Sequence, residues 1–308
     1  MTTNRLCVIG AESFIGKNLE SDIKLSRSDC NLLDFESTKS ALSKAKVDSI
    51  INCVAKHGSM NSMSTNHVGY LEENIRINMN ILRAAHELDI DKVLLLGSVS
   101  SFPFDDKEIV TERDYYSGSV NEVNFGYNSS KRFVVDLAKS YQMDYKRRFK
   151  VVHLGNIYGP HMIFGNDATV VGNLIHRIHQ AQITNSHVEL YGDGTDVRSL
   201  TFVKDLPIFF RWYMNQDSLM SPIICSSGLE IDIKSLFFLI AENMNFRNKV
   251  FFTGNGNSGK RKVAVSEIAK EVDIKQSFTP IVDGIFATVQ WFLAQQGRPS
   301  SVGRASLS

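Results

Sequence analysis

The stretch LCVIGAESFIG, residues 6–16, sets the fold class of this 308-residue chain. Its first four residues are apolar and predict a buried strand, and its glycines predict a tight turn into a helix. A strand, turn and helix of this kind form the phosphate-binding unit of dinucleotide-binding folds. Gly10 and Gly16 occupy the outer glycine positions of that unit, and Ser13 stands where its middle glycine is usual. The alternative is an ordinary strand-to-helix turn.

The rest of the first half repeats this rhythm of apolar runs and helical patterns. They alternate along the chain at 23–26, 37–45, 49–54, 74–88, 92–97, 131–145 and 150–154. Continuous rather than alternating apolar strands, separated by helices, predict a parallel sheet that is covered on both faces. The predicted fold class is therefore α/β, a Rossmann-like doubly wound parallel sheet, with a smaller C-terminal substrate lobe.

The rhythm changes after the Gly159-Pro160 pair. The second half shows helical patterns at 170–180, 232–243 and 281–295 without a run of strand–helix repeats. We therefore expect an NAD(P)-binding domain, a smaller lobe for the substrate, and one later segment that returns to the first domain. The expected ranges are 1–160 with 198–225 for the NAD(P)-binding domain, 161–197 and 226–296 for the lobe, and 297–308 for a flexible tail.

Composition argues against several classes of partner. The formal net charge is +1, which gives no electrostatic case for nucleic acid or an acidic membrane. No apolar run approaches the ~18 residues that a membrane span needs, and the N-terminus lacks a signal-peptide pattern. The four cysteines (Cys7, Cys30, Cys53 and Cys225) lack metal-binding spacing, so we interpret them as packing residues in the reducing cytoplasm.

Two further patterns are interpreted as chance matches. Residues 254–260 spell G-x-x-x-x-G-K, but Arg261 replaces the Ser or Thr that would hold magnesium in a P-loop. His176 and His179 lie three residues apart on a predicted helix, but no third ligand accompanies them. We therefore predict no metal site.

Tyr127 and Lys131 form the most informative pair of side chains. Their four-residue spacing places a phenol and an ammonium on one face of a helix, one turn apart. A positive charge favours the phenolate, so we expect Lys131 to lower the pKa of Tyr127 and make it useful in proton transfer. Ser98 follows the apolar run 92–97, at the strand end where doubly wound folds place ligands. There its hydroxyl can donate to a substrate carbonyl oxygen while Tyr127 delivers the proton.

The residues after the second predicted strand bear on the choice of cofactor. An acidic residue there binds the ribose hydroxyls of NAD, whereas an arginine accommodates the phosphate of NADP. The chain has Leu25-Ser26-Arg27-Ser28 at this point, which favours NADP(H) over NAD(H). Glu12 in the glycine-rich turn favours the opposite choice, and the alternative for Arg27 is a plain surface residue.

Four motifs together resemble the extended short-chain dehydrogenase/reductase superfamily, also described as the NAD-dependent epimerase/dehydratase family. They are GAESFIG at 10–16, LLGS at 95–98, Tyr127-x-x-x-Lys131 and NIYGP at 156–160. Within it, the chain is similar to the GDP-L-fucose synthases over nearly its whole length. The markers are NLLD at 31–34, AAH at 84–86, YGPH at 158–161 and QWFL at 290–293.

The resemblance implies a Rossmann domain for NADP(H), a lobe for a nucleotide-diphosphate sugar (a GDP-sugar first of all), a homodimer, and a role in polysaccharide biosynthesis. It implies Ser98, Tyr127 and Lys131 as the catalytic triad. The implied cofactor-binding residues are Gly10, Ser13, Phe14, Ile15, Gly16, Arg27, Leu32, Ala55, Lys131, Asn156 and Ile157. The implied substrate-binding residues are Ser98, Ser100, Asn156, Arg177, Arg198, Arg261 and Lys262. Guanidinium forks suit phosphate geometry, and the alternative for each basic residue is a surface charge.

The chain departs from the family it resembles at two positions. GDP-L-fucose synthases move protons at C3 and C5 of the sugar with a cysteine and a histidine, and the resemblance places Ser100 and Thr169 there. An unactivated hydroxyl is a poor base or proton donor for a carbon acid at neutral pH. We therefore expect an NADP-dependent reductase of a nucleotide-linked 4-keto-6-deoxy sugar, or a related heptose, that has lost epimerisation.

Three alternatives stay open. A bifunctional 3,5-epimerase/4-reductase would need other residues for proton transfer at carbon. A redox-neutral 4-epimerase or 4,6-dehydratase would use the same triad and keep NAD bound, although dehydratases usually add an Asp-Glu pair that residues 100–102 lack. A non-catalytic dinucleotide-binding sensor would have no need of the Tyr–Lys pair.

Overall fold

The computed structural model describes residues 5–103, 109–216, 222–254, 263–268 and 278–296. The strands in these ranges are β1 (Leu6–Ile9), β2 (Ile23–Leu25), β3 (Ser49–Asn52), β4 (Lys92–Ser98), β5 (Ile109–Val110), β6 (Arg148–Leu154), β7 (Asn156–Tyr158), β8 (Val188–Tyr191), β9 (Val197–Phe202), β10 (Ile223–Cys225), β11 (Glu230–Asp232), β12 (Val250–Thr253) and β13 (Val263–Ala264). The α-helices are α1 (Phe35–Ala45), α2 (Met60–Thr65), α3 (His67–Glu87), α4 (Phe125–Tyr145), α5 (Val170–Ile183), α6 (Leu206–Met214), α7 (Ile233–Asn243) and α8 (Ile281–Gln296).

The main sheet has six parallel strands within the described ranges, in the order β10-β6-β4-β3-β1-β2. The chain passes from β1 to β2 on one side and then to β3 on the other, so the strand order reverses at β1. In sheets of this kind, ligands bind beyond the carboxyl ends of the strands where the order reverses. That crevice lies beside Gly10 and Cys53, which follow β1 and β3. The predicted doubly wound α/β fold is confirmed.

Both faces of the main sheet are buried, which explains why its strands are continuous apolar runs. Successive side chains of a strand point to opposite faces. Cys7 and Ile50 accordingly belong to the core beneath α1, α3 and α4. Their neighbours Val8 and Ile51 belong to the core beneath α6.

A second core holds the smaller lobe together. It joins α5, α7 and α8 to β8 and to a three-stranded sheet of order β11-β9-β7. Leu200 and Phe202 belong to this core, whereas Val203 and Leu206 belong to a core of the main sheet. The chain therefore crosses between the two cores at the end of β9. In the part of the chain that the structure describes, no helix has the length and apolar composition to cross a membrane.

Two helices begin earlier than their apolar periodicity indicates. The pattern predicts helix from 74 and from 131, whereas α3 begins at His67 and α4 at Phe125. The first turn of α3 is fixed by a cap, because the Asn66 side chain accepts from the Gly69 N–H. Strands β7 and β9 to β12 escape the sequence pattern, because three to six residues carry too little periodicity.

Candidate active site

The glycine-rich turn after β1 is closed by its own backbone. Gly10 has a φ of +81°, a left-handed conformation that favours glycine. The N–H groups of Gly10 and Ala11 donate to the Leu25 carbonyl oxygen at 2.8 and 3.2 Å. A Cβ on Gly16 would lie 2.2 Å from the Gly10 oxygen, and the Ser13 hydroxyl accepts from the Gly16 N–H at 3.1 Å. The turn thus brings backbone together as closely as a pyrophosphate site requires.

Tyr127 and Lys131 lie one turn apart in α4, and both are buried, with 8% and 5% of their surface exposed. The Lys131 Nζ donates to the Leu96 carbonyl oxygen at 2.7 Å. It lies 5.7 Å from the centre of the Tyr127 ring. The bond to Leu96 ties the helix that carries the pair to the carboxyl-terminal half of β4.

Burial governs the protonation of this pair. It raises the pKa of Tyr127 to about 12, although a hydrogen bond with Ser98 acts in the opposite direction. It lowers the pKa of Lys131 to about 8. The net shift is therefore upward, contrary to the expected lowering, because the lost hydration of the phenolate outweighs the favourable contact with Ser98. Tyr127 is a neutral phenol at neutral pH, which is the form that donates a proton.

Ser98 ends β4 and stands beside the pair. Its hydroxyl oxygen lies 2.8 Å from that of Ser100 and accepts from the Ser100 backbone N–H at 3.2 Å. Ser98 also acts to lower the pKa of Tyr127, so the two side chains are neighbours. The structure therefore gathers Ser98, Ser100, Tyr127 and Lys131 into one cluster at the end of β4.

A buried histidine, His153 in β6, supports the backbone of Ser98. Its Nδ1 lies 3.1 Å from the Ser98 carbonyl oxygen and 3.2 Å from the Ser101 hydroxyl. A carbonyl oxygen only accepts, so Nδ1 carries the hydrogen, and burial lowers the pKa of His153 to about 3 and keeps it neutral. No sequence signal identifies this residue, because only the pairing of β4 with β6 places it behind Ser98.

Arg132 joins the loop after Ser98 to α4. Its guanidinium donates to three backbone carbonyl oxygens, those of Ser101 at 3.0 Å, Tyr115 at 3.0 Å and Gly118 at 2.8 Å. Because Arg132 directly follows Lys131 in α4, these bonds fix the serine loop, residues 98–101, to the helix that carries Tyr127 and Lys131. Its place beside Lys131 is visible in the sequence, but the partners of its side chain are not.

The remaining residues expected to bind the cofactor are distributed over four segments. They are Phe14 and Ile15 in the glycine-rich turn, Arg27 and Leu32 after β2, Ala55 after β3, and Asn156 and Ile157 in β7. Arg27 and Asn156 are exposed, whereas Leu32 is buried. Asn156 donates to the Ser199 carbonyl oxygen at 3.0 Å, which links β7 to β9.

Asp29 lies in the same turn as Arg27 and also bears on the choice of cofactor. Its carboxylate accepts from the Ser26 N–H at 2.6 Å and from the Ser26 hydroxyl at 2.7 Å. These bonds lower the pKa of Asp29. An acidic residue after the second strand favours NAD when it is free to bind ribose. The residue is visible in the sequence, but its engagement with Ser26 is not.

The basic residues expected to bind the substrate lie in the smaller lobe. Arg177 is exposed on α5 and lines an open cavity of about 740 Å³ between α5 and β8. Arg198 is mostly buried in β9, and its guanidinium donates to the Asp196 carboxylate at 3.2 Å. Arg261, Lys262, most of the 254–260 motif and the tail 297–308 lie outside the described residues.

A serine, a tyrosine and a lysine at the crevice of a doubly wound sheet define the class of short-chain dehydrogenases/reductases. Comparison with known proteins gives the family within this class. The model of the NAD dependent epimerase/dehydratase family matches residues 6–222. The chain belongs to this family, so it is an NAD(P)-dependent enzyme of the extended short-chain dehydrogenase/reductase type.

One relative and two solved structures are similar to the chain over nearly its whole length. The GDP-L-fucose synthase of Dictyostelium discoideum is 31% identical over 309 residues, covering 95% of this chain and 97% of that protein. A GDP-L-fucose synthetase from Naegleria fowleri bound to NADP has a TM-score of 0.86 at 22% identity, covering 96% of this chain and 95% of that one. MlghC, a GDP-mannoheptose C4 reductase from Campylobacter jejuni with NADP bound, has a TM-score of 0.81 at 17% identity, covering 95% and 99%. The predicted superfamily and the similarity to GDP-L-fucose synthases are confirmed.

Proposed function

We propose that the protein is an NADPH-dependent reductase that converts the C4 ketone of a GDP-linked 4-keto sugar into an alcohol. The sugar is a 4-keto-6-deoxyhexose or a related heptose. The observation that carries this proposal is the cluster that Ser98, at the end of β4, forms with the buried Tyr127 and Lys131. The GDP-sugar is supported by the D. discoideum relative, a GDP-L-fucose synthase, and by the C. jejuni neighbour, a GDP-mannoheptose C4 reductase.

The glycine-rich turn fits a nicotinamide dinucleotide. A Cβ would block the close approach of Gly16 to Gly10, and such an approach is what the pyrophosphate of this cofactor requires. Gly10, Ser13, Gly16 and Lys131 would hold the cofactor. When bound, the reduced nicotinamide supplies a hydride to the ketone carbon.

The triad residues handle the proton and the developing charge. Tyr127 donates its phenolic proton to the carbonyl oxygen as that oxygen gains negative charge. Ser98 donates a hydrogen bond to the same oxygen and stabilises the charge. The Lys131 ammonium stabilises the phenolate that Tyr127 becomes, and the buried setting strengthens this attraction. Tyr127 then regains a proton from solvent.

Two residues support reduction without epimerisation. The resemblance places Ser100 at the position of the proton-transferring cysteine, and the Ser100 hydroxyl is engaged with Ser98. The resemblance places Thr169 at the position of the histidine, and Thr169 is exposed just before α5. Both offer an alcohol where a thiol or an imidazole would be needed to remove a proton from carbon.

The direct test is NADPH oxidation by the purified protein with GDP-4-keto-6-deoxymannose in deuterated water, followed by NMR of the product. We expect NADPH oxidation and no deuterium at C3 or C5. Deuterium at those carbons would contradict the loss of epimerisation. An absence of NADPH oxidation with GDP-linked 4-keto hexoses and heptoses would contradict the proposed reaction.

The role of Tyr127 is tested by Tyr127→Phe, with Tyr145→Phe as the matched control. Both variants lose one phenolic hydroxyl from α4, but Tyr145 is exposed at the far end of the helix. We expect Tyr127→Phe to lower kcat by ~10²–10⁴-fold, because it removes the proton donor, and to leave NADPH affinity unchanged. Equal losses in the two variants would contradict this role.

We propose NADPH as the preferred coenzyme, on the support of the exposed Arg27 and of Asp29, whose carboxylate is engaged by Ser26. The test compares kcat/KM for NADPH and NADH in the wild type and in Arg27→Ala. We expect Arg27→Ala to lower the NADPH value by about tenfold and to spare the NADH value, because only NADPH carries the phosphate. An unchanged ratio would contradict this preference.

We further propose that residues 1–160 and 198–225 bind the cofactor and that 161–197 and 226–296 bind the nucleotide sugar. The separate cores of the main sheet and the lobe support this division except at 156–158 and 198–202, where β7 and β9 belong to the sheet and the core of the lobe. In the lobe, Arg177 and Arg198 are proposed to face the diphosphate.

We also propose a homodimer in the cytoplasm. Large apolar side chains are exposed on α3 and α4, among them Val68, Met79 and Phe125, and such surfaces are typical of interfaces between subunits. Light scattering should give twice the mass of the chain. A mass equal to one chain at micromolar concentration would contradict the dimer.

A further inference from the structure

His57 lies in the loop after β3, and this loop is held firmly just before it. Asn74 is fully buried in α3 and binds the Lys56 backbone twice. Its side-chain oxygen accepts from the Lys56 N–H at 2.7 Å, and its amide nitrogen donates to the Lys56 carbonyl oxygen at 3.1 Å. The Lys56 ammonium also pairs with Glu73 at 2.7 Å. The backbone of the residue before His57 is therefore held in place by α3.

The imidazole of His57 contacts the ring of Tyr127 and is exposed to solvent. Its ring centre is 5.5 Å from that of Tyr127, with the planes at 81°, an edge-to-face contact. The charge of Lys131 acts on the same imidazole. Tyr127 and Lys131 are buried, whereas His57 is exposed. His57 is thus an accessible polar ring in contact with the proposed proton donor.

The His57 imidazole is free to bind a ligand. Among the described residues, no hydrogen bond occupies either of its ring nitrogens. Surrounding protein atoms and the charge of Lys131 lower the pKa of His57, so the ring is neutral at neutral pH. A neutral imidazole has one donor and one acceptor, which suits a hydroxyl group.

We propose that His57 hydrogen-bonds a hydroxyl group of the sugar next to the carbon being reduced, and that it thereby helps to select the substrate. This role rests on the proposed function, because a ketone held by Tyr127 and Ser98 places the neighbouring sugar carbons beside Tyr127. A hexose or heptose carries hydroxyl groups on those carbons. The edge-to-face contact places the imidazole where such a hydroxyl group would arrive.

Two substitutions separate hydrogen bonding from ring packing. His57→Phe keeps an aromatic ring against Tyr127 but cannot hydrogen-bond, whereas His57→Gln keeps a donor and an acceptor but no ring. The measurements are kcat/KM for GDP-4-keto-6-deoxymannose at saturating NADPH, and the NADPH dissociation constant by fluorescence titration. We expect His57→Phe to lose about tenfold in kcat/KM, with NADPH affinity within about twofold of wild type, and His57→Gln to recover most of the loss.

Several results would overturn this role. Wild-type activity in His57→Phe would do so, and so would a loss in His57→Gln alone, which would assign the effect to packing on Tyr127. Weaker NADPH binding with an unchanged KM for the sugar would assign His57 to the cofactor instead. A wild-type protein that reduces no GDP-linked 4-keto sugar refutes the proposed function and this role together, whereas an active wild type with unaffected variants refutes only the role of His57.

Discussion

Replacing Lys131 by methionine tests how the protein holds a charge in its active site. Methionine is similar in length and apolar, so it removes the ammonium and leaves little empty space. The variant should lose most of the proposed reductase activity, because the ammonium no longer stabilises the phenolate of Tyr127. Its folding stability should depend on pH in a way that the wild type does not share.

The magnitude follows from the lowered pKa. Folding moves the pKa of Lys131 from 10.5 to about 8, so the folded protein binds this proton less tightly than the unfolded chain does. One pKa unit corresponds to about 1.4 kcal/mol, so at pH 7 the buried ammonium destabilises the fold by about 3 kcal/mol. Between pH 8 and 10.5 only the unfolded chain keeps the proton, and the stability of the wild type rises with pH. By pH 9.5 the penalty is about 1 kcal/mol.

The hydrogen bond to Leu96 reduces the net gain. Methionine cannot donate to the Leu96 carbonyl oxygen, and losing such a bond costs about 1–3 kcal/mol. At pH 7, Lys131→Met should therefore be more stable than wild type by between 0 and about 2 kcal/mol. The change of this relative stability with pH tests the argument more directly than its value at pH 7. The hydrogen bond to Leu96 contributes at both pH values, because the ammonium and the neutral amine can both donate it. The stability of Lys131→Met relative to wild type should fall by about 2 kcal/mol from pH 7 to pH 9.5.

The assay is urea unfolding of the wild type, Lys131→Met and Lys139→Met at both pH values. Lys139 is an exposed lysine on the same helix, so Lys139→Met should match wild type at each pH. A relative stability of Lys131→Met that stays constant, or that increases towards pH 9.5, would refute the argument that folding lowers the pKa of this ammonium.

Two further substitutions test the supports of the site. Gly16→Ala should weaken NADPH binding by about tenfold or more, since its Cβ would lie 2.2 Å from the Gly10 oxygen, whereas a Cβ on Gly155 meets nothing nearer than 3.6 Å. Fluorescence titration of both alanine variants checks this, and equal affinities would show that the turn tolerates a side chain. Arg132→Met should lower kcat by about tenfold while changing NADPH affinity little, because it releases the serine loop at Ser101. An unchanged kcat in steady-state assays would show that the loop is held without it.

The main sheet is predictable because its signals are local. The apolar run at 6–9 is observed as β1, Leu6–Ile9. A strand that is buried on both faces is a continuous apolar run, so it can be predicted without knowing which strands pair with it. The lobe is harder, since β9 pairs with β7 and β11 through contacts between distant segments. The pairing of β7 with β9 involves only three residue pairs, and such a short pairing cannot be predicted from the pattern of apolar residues.

The candidate site divides in the same way. The spacing of Tyr127 and Lys131 follows from helix geometry, and both lie on α4. Their protonation does not follow from spacing, because it depends on burial by residues from other elements. His153 is the clearest case, since 55 positions separate it from the Ser98 carbonyl oxygen to which it donates.

The triad lies in different surroundings from Thr169, whereas Ser100 contacts the triad directly. Tyr127 is buried in a small cluster with Met63 and Tyr70, whereas Thr169 precedes a helix of the second core. Position 100 is more closely coupled, because its hydroxyl meets that of Ser98. When Ser100 donates, Ser98 keeps its own proton for the substrate oxygen. A thiol is a weaker donor and would support Ser98 less well. A serine at position 100 is therefore suited to support Ser98 in the proposed reduction.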